Sequence, residues 1–204
     1  MSVTKSAAFL MISGFMSFMV FADNAGNQST YVDRKPDFER YAVSFTKKSF
    51  STHLILTNEQ EGYSEHWKKI TMNELKKAAN LAGNYRIYTD AGSQGSECLD
   101  HKGGVCGWVI DKVSGKVVTS LPSVNGSNVY NQVADNGTPI GEEFKIHTQE
   151  NSALMILTGQ AIPLKIESDE YGLPITYPCK AIYYVFENNQ FRKIAEDENG
   201  CSVE

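Results

Sequence analysis

NLAGNYRIYTDAGSQGSECLDHKGGVCGWVIDKVSGKVVTSLP, residues 80–122, is the stretch whose reading decides the fold. Past Gly83, the residues Tyr85, Ile87 and Thr89 alternate with Arg86, Tyr88 and Asp90, the period-two pattern of a strand. Val105 to Asp111 and Lys116 to Leu121 flank Val113-Ser114-Gly115, a hairpin turn in which glycine can take a positive φ. Pro122, with no N–H to give a ladder, closes the second arm. Between the first strand and the hairpin lies a glycine-rich loop bracketed by Cys98 and Cys106. A strand, a pinned loop and a hairpin make an antiparallel β unit.

Toward the C-terminus the pattern repeats. Glu143 to Thr148 and Ala153 to Thr158 form a hairpin across Glu150-Asn151-Ser152, and Lys180 to Ile194 turns at Asn188-Asn189. Ser123 to Gly141 and Gln160 to Pro178 read as irregular connections. The turns at Ser114, Asn151 and Asn188 are 37 residues apart, a spacing compatible with propeller blades but equally with any sandwich or barrel. Toward the N-terminus, Tyr63, Trp67 and Ile70 share one helix face. Thr71-Met72-Asn73-Glu74 matches a capping box, after which Met72, Leu75, Ala79 and Ala82 form an apolar stripe that Gly83 ends. Phe38 to Phe45 and Ser51 to Thr57 read as short strands. The expected fold is mainly β (α+β): an antiparallel sheet of successive hairpins with one N-terminal helical region packed on it, over residues 37–204 as a single domain.

Residues 1–22 read as a secretory signal peptide, with Lys5 as the positive n-region, uncharged Ala7 to Phe21, and Val20-Phe21-Ala22 before the cut. Fifteen helical residues rise about 22 Å, short of the roughly 30 Å hydrocarbon core. Residues 23–36, rich in Asn, Gly, Gln, Ser and Thr, read as a flexible arm. Beyond the leader, 18 basic side chains face 24 acidic ones. That balance argues against a nucleic-acid partner, whose phosphates require a basic surface, and permits a cationic protein partner. Nothing after the leader is long and apolar enough to span a membrane.

All four cysteines follow the leader, which places the chain in an oxidising compartment and predicts two disulfides. Of the three connectivities, short spacing favours Cys98–Cys106 with Cys179–Cys201. Closing loops of about 9 and about 23 residues would contribute about 2.6 and about 3.4 kcal/mol by the chain-entropy relation. The competing reading is a zinc site from Cys98, His101 and Cys106, one ligand short of a structural tetrahedron.

No nucleophile elbow, phosphate loop or histidine pair at metal spacing is present, and no cofactor is expected. A catalytic set would pair His101 with Asp90 or Asp100, with Ser93 or Ser96 as nucleophile, but a triad needs its base oriented by a buried carboxylate. Residue type alone does not supply that, so no catalytic assignment is made. His53, His66 and His147 read as strand or helix surface residues, and Glu142-Glu143 and Asp169-Glu170 as solvated charges.

Asn80-Leu81-Ala82-Gly83-Asn84-Tyr85, the cysteine pair, Gly107-Trp108-Val109-Ile110-Asp111, Ser114-Gly115-Lys116-Val117 and Leu121-Pro122 together resemble a family of exported bacterial proteins. That family carries an Asn-Phe-Ala-Gly-His-Tyr type motif, a cysteine pair, a strand ending in Ile-Asp and a Thr-Gly-Lys-Val hairpin. Ser152-Ala153-Leu154-Met155-Ile156 and Tyr183-Tyr184-Val185-Phe186 resemble its two later hairpins. Leu81 and Asn84 stand where the motif has its aromatic residue and its histidine, and the cysteine spacing is wider. The resemblance implies an envelope-facing β-rich fold, periplasmic or secreted.

Recognition is then the expected function. The loop Ala91 to Gly104, stiffened by its disulfide, would lose little entropy on docking. Its side chains Glu97, Asp100, His101 and Lys102 are the candidate partner-binding residues. The expected partner is an envelope or secreted protein, with a cationic surface suited to this acidic chain. An inhibitor or immunity protein against a cell-wall-directed hydrolase or toxin fits that description. The alternatives are a structural or ligand-binding envelope protein, or a hydrolase.

Overall fold

Alternating side chains and turn residues build two antiparallel sheets and leave room for two short helices. The computed structural model describes residues 35–45, 48–91, 97–98, 104–124, 126–131, 144–162, 168–172, 179–198 and 200. All of them belong to one compact unit, Lys35–Glu204. Helices α1 (Asn58–Glu61) and α2 (Glu65–Lys76) precede the strands β1 (Tyr85–Asp90), β2 (Gly104–Asp111), β3 (Lys116–Ser120) and β4 (Tyr130–Asn131). Strands β5 (Lys145–Thr148), β6 (Leu154–Gly159), β7 (Lys180–Glu187) and β8 (Gln190–Asp197) follow. The first sheet has the order β1-β2-β3, with β4 also on β2; the second runs β5-β6-β7-β8. The turns at 114, 151 and 188 therefore do not mark equivalent units, because the first closes a hairpin of one sheet and the other two belong to the second.

The two tight hairpins follow from their turn residues. Gly115, at φ +73°, closes β2–β3, and a Cβ there would stand 2.2 Å from the His53 carbonyl oxygen. Asn188 and Asn189, at φ 51° and 62°, close β7–β8 with the paired positive φ of a type I′ turn.

The central strands are buried on both faces. From the first sheet, Ile87, Val109 and Tyr130 face Met155, Leu157, Ile182, Tyr184 and Phe186 of the second in one shared core. The opposite face of the first sheet carries Tyr88, Trp108 and Ile110 against Trp67 and Leu75 of α2. Covered on both faces, β2 is buried from Gly104 to Ile110, which is why it reads as a continuous apolar run rather than an alternation. Each large apolar side chain taken from water contributes roughly 1.5–3 kcal/mol. Phe38 and Tyr41 cover Leu154, Ala181 and Tyr183 on the outer face of the second sheet.

Several expectations are corrected. Phe38 to Phe45 is a turn followed by one bridge, Ala42 to Ser152, because its apolar residues cap a sheet face instead of joining its edge. Ser51 to Thr57 contributes one parallel bridge, Ile55 to Lys116. Helix α2 starts at the cap Ser64, whose Oγ accepts from Trp67 N–H at 3.2 Å, and it ends at Lys76. Thr71 is therefore mid-helix: its Oγ1 donates to the Trp67 carbonyl at 2.8 Å and accepts from the Tyr88 hydroxyl at 2.5 Å. The capping box belongs to α1, where Thr57 and Gln60 satisfy each other's backbone donors at 3.2 and 3.1 Å. Gly83, at φ +78°, serves a turn pressed against Phe45, whose Cγ would lie 2.3 Å from an added Cβ.

Lys112, 1% exposed, follows β2. Its ammonium donates to the Leu75 carbonyl in the last turn of α2 and stands 4.8 Å from the Phe50 ring centroid. A cation there complements the helix dipole, while burial, then the Arg86 charge, lowers its pKa from the ordinary lysine value. Lys112 thereby ties the last turn of α2 to the end of β2.

Candidate functional site

The β1–β2 connection is held at its base from two directions. Cys98 is bonded to Cys106, with Cα atoms 5.9 Å apart, and Cys106 itself sits opposite Asp90 in the β1–β2 ladder. Glu97, next in chain, is 8% exposed, and its Oε1 accepts a hydrogen bond from the Ser64 hydroxyl. Ser64 thus caps α2 through its lone pair and fastens the loop through its proton. A carboxylate at a helix N-terminus is favoured by the unpaired N–H groups there. The sulfurs of Cys98 and Cys106 are spent on each other, which removes the zinc set considered with His101.

Beside this anchor opens a groove of about 460 Å³, lined among others by Gln60, Tyr63, Glu97, Trp108, Ser120 and Asn128. Its aromatic side is ordered edge-to-face: Tyr63 meets Trp67 at 4.8 Å and Trp67 meets Trp108 at 5.9 Å between ring centroids. Tyr63 Oη donates to Glu59 Oε1 at 3.1 Å. Burial, then the Glu59 hydrogen bond and the charges of Glu59 and Glu97, raise the Tyr63 phenol above the ordinary tyrosine value. Glu59 and Glu61 make the first turn of α1 acidic, and it has no basic residue in its last turn. Glu65 follows at the start of α2, its carboxylate bonded to Lys68 at 2.9 Å. The groove is a polar cleft with the Glu97 carboxylate in its wall and Glu59 bonded to its Tyr63, suited to a basic side chain rather than to an anion.

At the end of β1, Asp90 Oδ2 and His66 Nε2 lie 3.1 Å apart, the imidazole half exposed. Sequence reasoning offered Asp90 to His101; the fold gives it to His66, from the helix packed alongside. No signal in the sequence pairs residues 66 and 90, because the contact is made by α2 packing on β1. The pair joins α2 to the end of β1. His53 is exposed, with Nδ1 3.0 Å from Thr52 Oγ1, and His147 is exposed on β5.

Of the four candidate partner-binding residues, Glu97 is placed in the groove wall. Asp100, His101 and Lys102 lie outside the described residues, as do Ser93 and Ser96. Cys179 is disulfide-bonded, and Cys201 lies outside the described residues. No protein-family model, no curated protein and no solved structure matches the chain.

Proposed function

We propose that the protein is an exported binding module, periplasmic or secreted, that docks a cationic surface of an envelope or secreted protein against the groove beside the β1–β2 loop. An inhibitor or immunity role toward a cell-wall-directed hydrolase or toxin is the biological form of that reading. The observation that carries it is Glu97: a carboxylate fixed by Ser64 and by the adjoining disulfide, in the wall of a cleft whose Tyr63 is bonded to Glu59. A side chain already held before contact loses little entropy on binding, and an acidic chain accelerates encounter with a basic partner. Asp100, His101 and Lys102 complete the surface in this proposal.

The test is capture on the oxidised protein from periplasmic extract, eluted with salt. Expected is a basic protein retained at low ionic strength and released near physiological salt or above, with retention weakened by Glu97→Gln and by alanine at Asp100 and His101. Retention indifferent to salt and to all three substitutions would refute the docking surface.

A further inference from the structure

Two strand edges border an open slot of about 380 Å³, lined among others by Ile87, Thr89 and Asp90 at β1 and by Phe144, Ile146 and Thr148 at β5. In an antiparallel ladder alternate residues turn both backbone groups toward the same neighbour. On β1 the outward set is Tyr85, Ile87 and Thr89. Leu81 exchanges backbone hydrogen bonds with Tyr85 at 3.0 and 3.1 Å. The Asn80 side chain imitates a strand for Ile87, accepting from its N–H at 2.8 Å and donating to its carbonyl at 3.0 Å. Thr89 comes next in that set, and no described group bonds to its outer side.

The other wall follows from the second sheet's register. Phe186 N–H donates to the Ala153 carbonyl, so the odd-numbered residues of β6 bond to β7 and the even-numbered ones to β5. Lys145 and His147, opposite Thr158 and Ile156, therefore bond inward, and Ile146 and Thr148 turn their backbone outward. The two edges are joined at one end, where Gly83 and Ala82 N–H donate to the Glu150 and Ser152 carbonyls at 2.5 and 2.9 Å. Beyond that junction no described hydrogen bond crosses from β1 to β5.

This edge differs from the one at the far side of the same sheet. The β8 edge carries Arg192 and Lys193, paired with Glu187 and Glu196, the charged dressing that discourages strand addition. The β5 edge keeps its exposed Lys145 and His147 at the alternate positions and turns Phe144, Ile146 and Thr148 to the slot. Behind the slot Ile87, Phe144 and Ile146 pack on the core between the sheets, while the surface the slot itself presents is mostly polar. At the β1 end stands the Asp90 carboxylate, 14% exposed and bonded to His66.

We infer that the slot receives an extended peptide segment of the partner as an added strand, with apolar side chains at alternate positions and a basic side chain over Asp90. Alternating donors and acceptors along a polar wall, with the inter-sheet core behind it, match a polypeptide backbone and its every-other side chain. A second copy of this chain fits less well, since its own β5 edge is flanked by its own β1 and cannot enter. The inference rests on the protein-binding reading and names a binding mode for it.

The probe is an array of short peptides alternating Val, Leu or Tyr with Lys or Arg, offered to the oxidised full chain. Expected is binding that shifts the amide resonances of Thr89, Ile146 and Thr148 and slows their hydrogen exchange by about ten-fold or more. N-methylation of every second peptide residue weakens binding in both phases, one phase removing protection of Ile146 and Thr148 and the other that of Thr89. Asp90→Lys turns the preference from basic to acidic peptides. No binding across the array, indifference to N-methylation, shifts confined elsewhere, or self-association through the same amides would each overturn the inference. Capture of the natural partner that survives Glu97→Gln alongside intact peptide binding would sink the acidic-groove reading alone. Capture lost on Glu97→Gln with no peptide bound would sink strand addition alone.

Discussion

Ser64→Ala removes two interactions with one hydroxyl, and their sizes are separable. The first is the N-cap to Trp67 N–H, whose loss to alanine costs about 1 kcal/mol. The second is the hydrogen bond to Glu97, a buried carboxylate; bonds to charged groups contribute about 1.5–3 kcal/mol. The substitution is expected to destabilise by about 2.5–4 kcal/mol on the same scales. Glu97→Ala leaves the cap in place and removes only the second term together with the carboxylate. The double variant Ser64→Ala/Glu97→Ala should then be less destabilised than the sum of the singles by about 1.5–3 kcal/mol, since the shared bond is lost once. Urea unfolding of the oxidised protein, with equal slopes across the four proteins, measures each quantity. Additivity within about 0.5 kcal/mol would refute the claim that Ser64 fastens the loop to the helix. Ser64→Asp offers a cross-check: it keeps a good capping oxygen but sets a second carboxylate against Glu97, so it should fall well below wild type.

Three further outcomes follow from the core. Burial raises the phenols of Tyr88 and Tyr130, and burial with the Glu196 charge pushes Tyr184 up to about 12. The unfolded chain therefore loses these protons first, so the stability they confer is complete below about pH 10 and falls as pH rises toward the folded values, by on the order of 2–3 kcal/mol for Tyr184 alone. Stability measured from pH 8 to 12 that stays flat would contradict it. Thr71→Val strips the Tyr88 hydroxyl of its buried acceptor and should cost about 1–3 kcal/mol, while adding Tyr88→Phe recovers part of that loss. Gly115→Ala sets a methyl 2.2 Å from the His53 carbonyl oxygen at positive φ, so it should destabilise by more than the roughly 1–2 kcal/mol that the left-handed conformation alone costs, read in urea unfolding, and shift the amide of Ile55, which donates to the Gly115 carbonyl at 2.8 Å.

The hairpins were legible because each is specified locally. Val113-Ser114-Gly115 and Asn188-Asn189 announce their turns by residues that tolerate positive φ, and the flanking alternation supplies the register. Strand β4 was not legible: it is two residues long, inside a polar stretch, and exists because β2 offers it Gly104 and Val105. The capping-box pattern at Thr71–Glu74 was real as a pattern, yet Ser64 had already begun the helix, and a threonine inside a helix turns its hydroxyl to the carbonyl four residues back. Apolar Phe38 and Tyr41 suggested a strand, but tertiary packing used them as a lid on the second sheet. The site divides in the same way. The cysteine pair and Glu97 were marked by the loop that contains them. The pairing of His66 with Asp90, and of the Asn80 amide with Ile87, depends on elements folding onto each other, and neither leaves a trace in local sequence.

Both tryptophans of the chain, Trp67 and Trp108, share one hydrophobic cluster with the Cys98–Cys106 sulfurs. Intrinsic emission from this molecule is consequently a spectator of the helix-bearing half only. A thiol reductant should brighten it by removing a nearby quencher even where the backbone stays put. The second sheet, with Tyr183 and Tyr184 but no indole, would melt in the dark. An emission curve that coincides with far-ultraviolet circular dichroism would therefore say that the two halves unfold together, and a lag between them would expose a stepwise collapse that neither signal reports alone.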